Sequence, residues 1–95
     1  MDLALRPLRN DELDWCLHDE GGLITDETAG QTWSLNPVGL FIWDHCDGTR
    51  DVAQIGSAIR VSFGVDDETA HLDLAEFLVC MEEIGLIQPS YPPAS

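Results

Sequence analysis

The chain has 95 residues and a formal net charge of −14, from 18 Asp and Glu against four Arg and no Lys. One domain of this length buries roughly 60–65% of the surface its unfolded chain exposes, which allows one modest core and no second lobe. A hydrophobic content of 44% fits a folded protein, and a surface this acidic repels phosphate, so nucleic acid and anionic membrane are excluded and basic or neutral polypeptides remain as partners.

Residues 1–12 read as a lead-in, because Met1 to Asn10 is broken by Arg6, Pro7 and Arg9 and lacks the apolar run of a secretory signal. No stretch approaches the roughly 20 apolar residues that span a bilayer. The expectation is a cytoplasmic protein whose Cys16, Cys46 and Cys80 are free thiols. Leu13 to His18 alternates apolar and polar residues and predicts a half-buried strand, after which Gly21-Gly22 punctuates the chain. Leu23 to Asp26 is the next strand, Glu27 to Gly30 a turn, and Gln31 to Leu35 a third strand with Trp33 and Leu35 on one face. Together they predict a three-stranded antiparallel meander whose last strand is a free edge.

Asn36-Pro37 then changes the period, since Asn caps a helix and Pro at the first helical position loses no needed hydrogen bond. A first helix runs from Pro37 to about Cys46 and stops at the turn Asp47-Gly48, whose Asp side chain caps the next helix or its own backbone. Thr49 is the expected cap of a second helix, with Asp51 in its first turn, Val52, Ile55 and Ile59 as its buried stripe and Phe63-Gly64 as its end. Asp66 or Asp67 caps a third helix, where Leu74, Phe77, Leu78, Met81 and Ile84 form the apolar stripe and Gly85 the stop. Leu86-Ile87 is a short apolar tail, and 89–95, with three prolines, a frayed disordered end. The fold class is α+β, with a three-stranded antiparallel meander followed by three α-helices, the outline of a winged helix-turn-helix. Its third helix carries Asp66, Asp67, Glu68, Asp73, Glu76, Glu82 and Glu83 and no Arg, so it does not lie on a phosphate backbone.

No catalytic constellation emerges. The glycines form neither GxGxxG nor a P-loop, and no Lys reaches for a phosphate. Cys16-x-His18 and His45-Cys46 lack the CxxC or HxxxH spacing that presents two ligands to one metal, and Cys80 falls on the core side of its helix. Cys46 and Cys80 therefore read as small apolar residues. The expectations are no catalytic residue, no metal and no cofactor.

Three stretches carry a family resemblance: Trp33-Ser-Leu-Asn-Pro-Val-Gly39; Ile42-Trp-Asp-His-Cys-Asp-Gly-Thr-Arg50 with Val52-Ala-Gln-Ile55; and Asp73-Leu-Ala-Glu-Phe-Leu78 leading to Gly85-Leu-Ile87. In order and separation they resemble the PqqD family over residues 13–88. That resemblance implies a RiPP recognition element, a non-enzymatic domain that binds the leader of a ribosomally made precursor peptide and presents it to a modifying enzyme, either a radical SAM protein or a peptidase/cyclase. It implies that the leader adds as a strand to the third strand, beside the third helix. Carried onto this chain, the pairing residues are Gln31, Thr32, Trp33, Ser34 and Leu35, and the cleft residues are His71, Leu72, Asp73, Glu76 and Val79. Trp33 is either core or ligand-contacting. Phe41, Ile42, Trp43, Phe77, Leu78 and Met81 read as core.

The physical logic of the edge is independent of the family, because an edge strand offers unpaired N–H and C=O groups to another chain. Acidic walls at Asp66, Asp67, Asp73 and Glu76 predict a preference for a leader with Lys or Arg that weakens with salt. The alternative reading is a small structural or regulatory winged-helix protein that dimerises through the same edge. Monomer and homodimer both stay open.

Overall fold

The computed structural model of the chain describes residues 3–10, 12–18 and 21–88, and the expectation for 89–95 lies outside them. Its elements in chain order are β1 (Leu8–Arg9), β2 (Asp14–His18), β3 (Gly21–Asp26), β4 (Gln31–Leu35), α1 (Pro37–His45), α2 (Val52–Phe63), α3 (Asp67–Glu83) and β5 (Ile87–Gln88). The antiparallel sheet β2-β3-β4 followed by three helices is the expected α+β arrangement. A second, two-stranded sheet was not anticipated: β1 pairs antiparallel with β5, Leu8 opposite Gln88 and Arg9 opposite Ile87.

The register of the meander follows from which residues need the core. Ile24 is fully buried and pairs with Trp15 on one side and Trp33 on the other. A one-residue slip would turn Ile24 to solvent, so the pairing is held by burial as well as by the ladder. The alternation in β2 weakens toward its end, where Leu17 is 74% exposed although Leu13 is buried. β3 begins at Gly21, two residues before the predicted start, because the glycine pair is not a break. A Cβ on Gly21 would stand 1.9 Å from the Leu35 carbonyl oxygen, and one on Gly22 2.7 Å from Leu40 Cδ1. Glycine is there so that β4 and α1 can come close.

The helices start where their caps place them. Asn36 Oδ1 accepts from the Gly39 amide and caps α1, with Pro37 at the first position. The cap of α2 is Asp51, not Thr49: Asp51 accepts from the Gln54 amide while the Gln54 side chain accepts from the Asp51 amide, closing a reciprocal capping box. Thr49 instead donates to Asp47, the turn residue before Gly48, whose φ is +82°. Asp66 caps α3 by accepting from the Thr69 amide, and hydrogen bonding from the Thr69 side chain, then from its amide, holds its carboxyl below the usual carboxylate range. Gly64, at φ +66°, closes α2 in the left-handed region that a side chain disfavours.

Trp43, Ile24, Ile42, Ile55, Ile59, Leu74, Leu78 and Cys46 form the fully buried centre. Two sequence assignments on α3 need correcting. Ile84 sits at the C-cap and is exposed, and Cys80 is exposed, because the buried stripe of α3 narrows to Ala70, Leu74 and Leu78 where the helix packs on α2. The apolar tail Leu86-Ile87 is also more than a tail, since both side chains are buried in the same core cluster as Leu5 of the lead-in. Arg9 ties this end of the molecule to α1: its guanidinium donates to the Trp43 and Asp44 carbonyls at 2.9 and 2.7 Å and lies 5.6 Å from the Trp15 ring centre. A cation at the carbonyl end of α1 is the favourable partner for the helix dipole.

Candidate functional site

β4 is the outer strand of its sheet, hydrogen-bonded to β3 alone among the described residues. Gln31, Thr32 and Ser34 are exposed, Trp33 is half-buried against the core and Leu35 is buried. The residue after β4, Asn36, opens a groove of about 350 Å³ between α1 and α3. Val38 and Ile42 line it from α1, and Phe77 and Met81 from α3, with Cys80 beside them. Gly39 lets the helices approach, because a Cβ there would lie 3.3 Å from the Phe77 ring. Asp73 and Glu76, one turn apart on α3, stand over this apolar floor. Among the described residues the one ion pair is Arg50 with Asp47, so neither groove carboxylate has a basic neighbour.

The structure thus brings Asp73 and Glu76 to the end of β4. The other three cleft residues expected on α3 stand elsewhere on the helix. His71 packs toward α2, within 3.3 Å of where a Gly56 Cβ would be; Leu72 projects into solvent; and Val79 shares a shallow hollow with Ala75, Glu76 and Cys80 on the outer face. Asn36, Val38, Gly39 and Cys80 were not foreseen, and Ile42, Phe77 and Met81 were assigned to the core alone. The spacings 38/42, 73/77 and 77/81 carry the signal, since residues four apart share a helical face.

A second hollow lies on the opposite flank of α1, lined by Trp15, Leu17, Leu40, Phe41 and Phe63 with Pro37 and Asp44. Phe41 meets Phe63 edge-on at 5.2 Å and stacks on His45 at 4.2 Å. His45 Nδ1 is held by the Phe41 carbonyl at 2.7 Å. Its neighbour Cys46 is sealed in the core, and burial pushes that thiol up to about 12. Among the described residues no three His, Cys, Asp or Glu side chains gather where a metal could sit. Iodoacetamide at neutral pH should therefore alkylate Cys16 and Cys80 and spare Cys46 until denaturant is added, as read by mass spectrometry of Glu-C peptides. Native labelling of Cys46 would contradict a closed core.

The model of the family described as Coenzyme PQQ synthesis protein D (PqqD) matches residues 17–87, a span from inside β2 to the start of β5. The chain belongs to the PqqD family. Two solved structures share the fold of this PqqD-family chain. TbiB1, determined in complex with the TbiA(beta) leader peptide, aligns with a TM-score of 0.76 at 23% identity, covering 90% of this chain and 99% of that one. A lasso peptide synthetase B1 complexed with the leader peptide aligns with a TM-score of 0.77 at 20% identity, covering 88% and 99%. No curated protein matches the chain. Among the described residues, no helix is long and apolar enough to cross a membrane.

Proposed function

We propose that this PqqD-family chain is a non-catalytic module that captures the leader of a ribosomally made precursor peptide as a strand added to β4, and presents it to a modifying enzyme, a radical SAM protein or a peptidase/cyclase. The observation that carries the reading is the outer strand β4, whose next residue, Asn36, lines the groove between α1 and α3. Backbone N–H and C=O groups at such an edge supply affinity, and the adjoining groove supplies side-chain selection. The two structural neighbours were solved with leader peptides, which supports the same use of this fold.

The sheet has a second edge, β2, beside the Trp15–Leu17 hollow. Titration of the labelled protein with synthetic leader peptides distinguishes the two. Amide shifts confined to residues 31–35 and the α1/α3 groove are expected. Proline scanned through 31–35 should abolish binding but spare folding at alternate positions, those whose N–H faces outward. Shifts confined to 14–18, or dimer signals that rise with protein concentration and ignore peptide, would sink the proposal. Dimerisation through β4 would also bring two chains of charge −14 together, which self-repulsion opposes.

A further inference from the structure

The groove beside β4 is mixed in character: its floor is Val38, Ile42, Phe77 and Met81, and its wall on α3 is Asp73 and Glu76. Among the described residues no ion pair engages that wall. Arg9 is committed to the Trp43 and Asp44 carbonyls and Arg50 to Asp47, Arg60 lies in the last turn of α2, Arg6 stands in the N-terminal segment, and there is no Lys. The positive end of α1 is likewise engaged, because Asn36 already accepts from the Gly39 amide.

Three kinds of leader side chain can be weighed against this lining. An acidic one would place a third carboxylate in one hollow. A purely apolar one would cover the floor but strip water from two carboxylates without replacing their hydrogen bonds, which costs free energy. A Lys or Arg satisfies both halves, since its methylenes cover apolar surface while its head stays polar.

We infer, on the leader-binding reading, that the groove selects a leader with one Lys or Arg directed between α1 and α3, its stem over Phe77 and Met81 and its charge between Asp73 and Glu76. The test pans a displayed library of random peptides, about ten residues long, on the full chain, then measures the recovered peptides by fluorescence anisotropy. One register position should be enriched in Lys or Arg, and those peptides should protect Cys80 from alkylation and shift the amides of 31–35. The D73N/E76Q double variant should bind them about tenfold more weakly and lose the salt dependence that the parent shows between low and about 0.3 M salt. The E68Q/E83Q variant, altered on α3 outside the groove, should bind like the parent at high salt.

Peptides that shift 31–35 with no basic position enriched, or with affinity unchanged in D73N/E76Q, overturn the charge selection and leave strand addition standing. Peptides that bind without shifting 31–35 overturn both.

Discussion

Replacing Trp43 with alanine should unfold the domain or bring it close to unfolding at room temperature. Trp43 has no exposed surface, meets Trp15 edge-on with ring centres 6.5 Å apart, and carries the carbonyl that receives the Arg9 guanidinium. Truncating a buried Trp costs about 3–5 kcal/mol, against a total of about 5–15 kcal/mol for a domain of this kind. The indole Nε1–H is buried with no partner among the described residues, and an unsatisfied donor costs about 1–3 kcal/mol. Trp43→Phe removes that donor while keeping a ring in the core, so its urea midpoint should fall far less than that of Trp43→Ala. Circular dichroism through a urea titration checks both. Equal midpoints for the alanine variant and the parent would remove Trp43 from the centre of the fold.

Gly21→Ala should damage both the sheet and the site attached to it. Its Cβ would lie 1.9 Å from the Leu35 carbonyl oxygen and 3.1 Å from the Leu35 carbonyl carbon. These are backbone atoms at the end of β4, just before the Asn36 cap of α1, so no side chain can swing aside to relieve the clash. Overpacking of this type costs about 1–3 kcal/mol, with the upper end expected where backbone must move. Gly30→Ala is the natural comparison, because nothing lies within 4 Å of its Cβ and the cost there is the left-handed φ of +69° alone, about 1–2 kcal/mol. In a thermal melt Gly21→Ala should be the less stable of the two. In a peptide titration it should also be the weaker binder, since Leu35 is where the free strand hands over to the groove. If both variants matched the parent in peptide affinity, the end of β4 would play no part in recognition.

Much of this architecture was legible because its signals are local. Asn36-Pro37, Gly64 and Asp66 mark helix ends through their own side chains or φ preferences, and the alternation of β4 exposes its edge directly. The misreadings occurred where distant parts of the chain decide the outcome. Gly21-Gly22 resembles a break until Leu35 and Leu40 are placed against it. Thr49 is a plausible cap until Asp47 takes its hydroxyl and Asp51 proves able to form a reciprocal box with Gln54. Cys80 follows the spacing of a broad apolar stripe, but α2 covers only a narrow one. The groove shows the same limit: Asp73 and Glu76 are reached through the family resemblance on one helix, whereas Val38, Gly39 and Ile42 belong to it only because α1 crosses beside α3.

The pairing of β1 with β5 gives the chain the connectivity of a closed ring. Among the described residues Leu8 and Gln88 are the strand partners most distant in the sequence, and the strands that join them have two residues each. Closing so long a loop costs entropy that two-residue strands return only in part, so the clasp depends on the rest of the fold to bring its ends together. It also lies just beyond the last turn of α3, the helix that walls the groove, while Asp66 anchors the first turn. On the leader-binding reading, the wall is fastened at both ends before the peptide arrives, and such a cleft asks little further ordering of the protein when its ligand enters.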